Sequence, residues 1–111
     1  MFDLIIKGGT VIDGTGIPGV KTDIAITEGK ISKIGEIDPN EAKEIVDAEN
    51  MIVCPGFIDP HTHYDAQLFW DPHASPSNLH GITSVVMGNC GFSIAPISDV
   101  SDAEYLGAML V

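Results

Sequence analysis

His61 and His63 stand two residues apart, just after the run Gly56-Phe57-Ile58-Asp59. Side chains at i and i+2 leave an extended chain on one face, so both imidazoles can converge on one ion. Asp59 shares that face one step deeper, in position to orient a ligand histidine from behind. A bare His-x-His is a short pattern, and two surface histidines near a turn would read the same way. The apolar strand, the glycine ahead of it and the acidic neighbour favour metal binding. Cys90 follows a second apolar run, Ile82 to Met87, and stands between Gly88 and Gly91. A thiolate there would point toward the same place as the histidines. Thiolate is a strong zinc ligand, and glycines let the backbone crowd close to a site. Most free cysteines are instead small buried hydrophobes. For Cys90 both readings stand; for Cys54, ahead of Pro55, the inert one is better.

The other candidates are weaker. His73 and His80 fall in a polar, Pro-broken stretch from Asp65 to Asn78 and just beyond it. His73 is expected to face solvent and His80 to pack or hydrogen-bond before Gly81. Tyr64, Phe69 and Trp70 can wall a pocket or simply anchor the loop. Gly8-Gly9 and Gly14-Thr15-Gly16 open no helix, so no phosphate cradle is expected.

Positioning such a cluster requires elements that bring residues 61, 63 and 90 together. After Pro55 the chain has α/β texture: a strand running into His61-Thr62-His63, short helical turns near Ala66 and Leu79, and the β-branched run Ile82 to Met87. That run has the pattern of a parallel strand buried on both faces. A helix is expected from Ser101, with Ser101 as N-cap and Glu104 at the capping-box position. Before Pro55 lie short strands with Gly, Pro, Asn and Asp punctuation. Leu4 to Lys7 is a strand that Gly8-Gly9 breaks and Thr10 to Asp13 resumes. Asp23 to Thr27 alternates like a half-buried strand, Glu28-Gly29 suits a tight hairpin, and Lys30 to Gly35 returns with a bulge. Two further strands, Glu44 to Ala48 and Met51 to Val53, complete a small antiparallel β-unit. Its apolar face needs a second layer, and nothing in the second half resembles one.

Composition narrows the function classes. Five basic against sixteen acidic residues give a net charge of -11, which argues against nucleic acid and anionic membrane surfaces as partners. No apolar run approaches the roughly 20 residues that span a bilayer. Met1-Phe2-Asp3-Leu4 lacks the basic start of a signal peptide, so a cytoplasmic protein is expected. Two cysteines cannot build a disulfide framework; one Cys54–Cys90 bridge is formally possible, but free thiols are favoured.

The run Leu4-Ile5-Ile6-Lys7-Gly8-Gly9-Thr10-Val11-Ile12-Asp13-Gly14 resembles the first strands of the amidohydrolase superfamily. Pro55-Gly56-Phe57-Ile58-Asp59-Pro60-His61-Thr62-His63 resembles the segment that ends on that superfamily's metal-binding His-x-His. Four further stretches narrow the match: His63-Tyr64-Asp65-Ala66-Gln67, Trp70-Asp71-Pro72 with Ser75-Pro76-Ser77, His80-Gly81-Ile82-Thr83, and Gly88-Asn89-Cys90-Gly91. Together they are similar to the N-acyl-D-amino-acid deacylase, or D-aminoacylase, branch.

The resemblance implies an α/β fold joined to a β-unit. Residues 1–55 would be part of a small β-sandwich built from both chain ends, and residues 56–111 the first two strands of a metal-dependent (β/α)8 TIM barrel. It implies zinc, as one or two divalent ions, with His61, His63 and Cys90 as ligands. The cysteine would replace the carboxylated lysine of hydantoinases and dihydroorotases. Two more histidines and a catalytic aspartate fall later in the family's chains. A (β/α)8 barrel takes about 250 residues, so these 111 residues are expected to be an N-terminal fragment. Such a fragment should be inactive alone and should self-associate or pair with the remainder. The reaction implied is hydrolysis of the amide bond of N-acyl-D-amino acids. A cyclic-amide amidohydrolase of the hydantoinase or dihydroorotase type, or a non-catalytic structural homologue, is the alternative. The first would not need Cys90, and the second would need no converging ligands.

Overall fold

A computed structural model describes residues 1–90, 93 and 96–109, in two compact units, Met1–Pro55 and Gly56–Val111. In the first unit β1 (Phe2–Val11) is central. β2 (Val20–Thr27) pairs with it antiparallel, and β3 (Lys30–Gly35) lies outside β2. β4 (Ala42–Asp47) and β5 (Ile52–Val53) line the other side of β1 and run parallel to it. The sheet is therefore mixed, not antiparallel as the sequence led us to expect. After β3 a single 3-10 turn, Pro39–Glu41, delivers Ala42 opposite Phe2 at the start of β1. Alternation fixes which residues face inward and carries no information about strand direction.

Gly8-Gly9 does not interrupt β1. The register steps from Ile6↔Ile24 to Gly9↔Thr22, which inserts one extra residue as a bulge. Gly8 takes a φ of +73°, and its N–H leaves the ladder to donate to Asp23 Oδ1 at 2.8 Å. A side chain at Gly9 would meet Val53 Cγ2 at 2.5 Å. The first glycine supplies the conformation and the second the close approach.

Asp23, Ile24 and Ala25 are buried in succession, so the expected alternation in β2 fails at Asp23. Its carboxylate is buried because it is satisfied: it accepts from Gly8 N–H, from Ile37 N–H at 3.1 Å and from Lys7 Nζ at 3.2 Å. Burial by itself raises the carboxyl pKa, and the bonds from Gly8, Ile37 and Lys7 outweigh it, holding the group below its usual value. The expected bulge in β3 is present. Ile26 pairs with Ile31 and Ala25 with Lys33, leaving Ser32 as the extra residue, whose hydroxyl donates to Ala25 O. Both residues of the Glu28-Gly29 hairpin have positive φ, the geometry that matches strand twist.

Ile5, Ala25 and Ile37 form a small core with Phe2 and Ala42 packed against it. Ile31, Ile34, Ile45, Val46 and Ile52 remain between 47% and 67% exposed. Among the described residues the first unit is thus a single sheet with these apolar side chains left exposed.

In the second unit β6 (Phe57–Asp59) and β7 (Ile82–Val85) are parallel neighbours, with Ile58 opposite Ser84 and Asp59 opposite Val85. α1 (Tyr64–Gln67) and a 3-10 turn, Ser77–His80, lie between them in sequence. β7 is two residues shorter than the apolar run, and Val86 and Met87 are each 45% exposed. Burial on both faces requires layers on both faces, and here β6 is the paired strand. α2 (Val100–Met109) begins before Ser101. Asp99 caps it, accepting from the Ser101 N–H at 2.9 Å and the Ser101 hydroxyl at 2.8 Å. The expected Ser101–Glu104 box gives way because a carboxylate takes both bonds and also suits the positive end of the helix dipole.

Candidate metal centre

β6 stops at Asp59, so His61 and His63 lie beyond the strand and not at its end. What keeps them on one face is an alternation that continues past the ladder. Thr62 and Tyr64 are buried, each at 7% exposure, while His61 and His63 are exposed. Thr62 turns inward because its hydroxyl donates to Val86 O at 3.0 Å. Tyr64 does so through a 2.6 Å hydrogen bond between its phenol and the Ser77 hydroxyl. With both anchors turned in, the two imidazoles stack at a centroid separation of 5.8 Å and an interplanar angle of 20°.

Cys90 joins them. The chain leaves β7 at Val85, turns at Gly88 with φ +76°, and carries Cys90 out to the histidines. One donor atom from each of His61, His63 and Cys90 lies within 4.8 Å of the other two. On a tetrahedral zinc, with bonds of about 2.0–2.3 Å, ligand atoms stand roughly 3.3–3.8 Å apart. Small side-chain rotations close the difference, and all three residues are exposed. Two imidazoles and a thiolate form a donor set that suits zinc.

Asp59 is half-buried, and its Oδ1 accepts from the backbone N–H of His61 at 3.1 Å. The contact expected with a histidine ring is here a contact with the histidine's backbone, so Asp59 fixes where His61 begins. Neither cysteine is in a disulfide; Cys54 belongs to the first unit, lies outside the cluster and is exposed, not buried as expected. His73 and His80 are exposed and outside the cluster. Of the loop aromatics, Tyr64 is the anchor, while Phe69 and Trp70 are exposed at 67% and 56%. Asp71 organises the loop that follows them. The Ser75 N–H at 2.8 Å, helped by Gln67 and the His73 N–H, outweighs partial burial and holds the Asp71 carboxyl below its usual pKa.

Sequence reasoning gave no role to Thr62, Asp65 or Asn89. Asp65 Oδ2 accepts from the Gly88 N–H at 3.1 Å, and the Asn89 side-chain amide donates to Pro60 O at 2.6 Å. Only the placement of Asn89 inside Gly88-Asn89-Cys90 hinted at this. A groove of about 760 Å³ in the first unit, which includes Lys7, Asp23 and Glu49, is unrelated to this chemistry. Both of its lysines are already paired, Lys7 with Asp23 and Lys21 with Glu49.

The sequence profile of the amidohydrolase family matches residues 44–104, more than half of the chain and the whole of this cluster. The chain belongs to the amidohydrolase family. Within that family it is similar to the D-aminoacylase of Alcaligenes xylosoxydans xylosoxydans, at 42% identity over 87% of this chain and 20% of that protein. A solved D-aminoacylase, described as having a binuclear metal centre, superposes with a TM-score of 0.80 at 41% identity, over 89% of this chain and 21% of the other. The N-acyl-D-glutamate deacylase of Bordetella bronchiseptica, solved with zinc and a phosphonate inhibitor, gives a TM-score of 0.73 at 42% identity, over 86% of this chain and 20% of the other. This amidohydrolase chain thus spans about a fifth of the length of the relatives it matches. Its fold corresponds to their N-terminal portion.

Proposed function

We propose that the whole protein hydrolyses the amide bond of N-acyl-D-amino acids, with zinc held by His61, His63 and Cys90. The observation that carries this reading is the cluster itself: a cysteine from one loop placed beside two histidines from another, with donor atoms within 4.8 Å. The similarity to D-aminoacylase and to N-acyl-D-glutamate deacylase supports the substrate class and the D configuration.

Zinc bound there, as one ion or the first of two, supplies a Lewis acid that polarises a carbonyl and lowers the pKa of water. The chain's own residues do the rest of what these residues can do. His61 and His63 offer ring nitrogens, Cys90 offers its sulfur, and Asp59 holds the His61 backbone in place. Across the whole reaction one water is added to the amide: its oxygen goes to the acyl carbon, which becomes a carboxylate, and both of its protons go to the nitrogen, which leaves as the ammonium group of the D-amino acid. The family resemblance assigns the proton transfer to an aspartate outside these residues.

The test is a set of matched substrates given to the whole protein: N-acetyl-D-amino acids, their L forms, and a hydantoin. The reading predicts turnover of the D form well above the other two. Preference for the hydantoin would move the protein to the cyclic-amide class, and preference for the L form would remove the assigned handedness.

A further inference from the structure

We propose that Asp65 and Asn89 are a pair of positioning residues, a latch that fixes Cys90 beside His61 and His63; the proposal rests on the metal-centre reading above. Cys90 lies beyond the end of β7, where no strand pairing holds the chain. Up to Val86 the ladder still does, because the Val86 N–H donates to Asp59 O at 2.8 Å. The Thr62 hydroxyl bonds the same residue, at Val86 O, and so adds to a position already fixed.

Past Val86 the work passes to side chains. The Gly88 N–H reaches the Asp65 carboxylate at 3.1 Å, and the Asn89 amide reaches Pro60 O at 2.6 Å. Each bond joins the segment that carries the histidines to the segment that carries the cysteine. Pro60 directly precedes His61, Asp65 stands two residues after His63, and Asn89 directly precedes Cys90. The latch therefore brackets the two histidines and holds the other segment up to the residue before Cys90. Holding ligands together before an ion arrives reduces the ordering cost of binding, and supporting residues of this kind are worth about 10–100-fold in metal affinity.

The experiment uses the whole protein loaded with cobalt(II) in place of zinc. Chelator competition gives the affinity, and the thiolate-to-cobalt absorption band reports the Cys90 sulfur. Asn89→Ala and Asp65→Ala should each weaken binding by about 10–100-fold and diminish the band. The double variant should lose less than the product of the two, because the bonds act on one loop. Asp65→Asn keeps a carbonyl oxygen for the Gly88 N–H and should restore most of the affinity, which a role through charge alone would not allow. Asn89 is exposed and carries the test by itself if Asp65→Ala does not fold. Unchanged affinity and band in Asn89→Ala would overturn the latch, provided Cys90→Ala still abolishes the band. Equal losses in Asp65→Asn and Asp65→Ala would remove Asp65 from it. A band that survives in Cys90→Ala would instead overturn the metal reading on which the latch depends.

Discussion

The phenolic oxygen of Tyr64 lies 2.6 Å from the hydroxyl of Ser77, and both residues are buried. The same oxygen accepts from the Ser77 N–H at 3.3 Å. Tyr64 follows His63 directly, so this contact anchors the loop that presents the histidines. Tyr64→Phe keeps the ring and leaves the buried Ser77 groups without their partner, a loss of about 1–3 kcal/mol. Amide exchange in the turn Ser77–His80 should quicken by roughly 5- to 100-fold. Exchange at the wild-type rate would show that the bond adds nothing to the anchor.

Asp23 gives the first unit a pH dependence. Its carboxyl is held below its usual pKa against the effect of burial, so the folded state favours the ionised form. That contribution is fully present above the unfolded-state pKa of about 3.9 and disappears as pH falls through the lower folded-state value. Asp23→Asn should flatten the loss of stability on acidification below about pH 4. Asp23→Ala should cost about 2–4 kcal/mol near neutrality, because the Gly8 and Ile37 N–H groups lose their acceptor. Unfolding midpoints followed across that pH range check both. An acid limb that is the same in Asp23→Asn as in the wild type would place the pH dependence elsewhere.

The residues that were legible in the sequence are those whose chemistry is written in their type. Imidazole and thiolate at His61, His63 and Cys90 point to a metal wherever the chain puts them. Thr62, Asp65 and Asn89 act through single hydrogen bonds to backbone atoms of another loop, and any polar residue can do that. The strands were visible through their β-branched runs and the hairpin through Glu28-Gly29. The parallel direction of β4 and β5 was not, because the 3-10 turn at Pro39–Glu41 decides it. Asp23 reads as a solvent position in β2 until its partners, far off in sequence at Lys7, Gly8 and Ile37, are known. The helix cap moved from Ser101 to Asp99 for a similar reason: both are good caps, and only the structure shows which accepts the bonds.

The 111-residue chain alone should be catalytically silent and should not be a clean monomer. It offers three ligands at the candidate centre. Ile31, Ile34, Ile45, Val46 and Ile52 leave the first sheet with large apolar side chains exposed, of a kind that recruits further chain. Light scattering should report dimers or larger species, and amidase assays with added zinc should stay at background. A monomer with substantial turnover would contradict both expectations.

The central claim is that Cys90, with His61 and His63, holds the metal, and bound zinc tests it most directly. Zinc should be counted per protein molecule in the wild type and in Cys90→Ala and Cys54→Ala variants of the whole protein. Thiolate supplies the strongest donor of the cluster, so Cys90→Ala should lose zinc by at least about tenfold in affinity. Cys54, in the other unit, should be replaceable without loss. Full zinc in Cys90→Ala, with zinc lost from Cys54→Ala, would contradict the account.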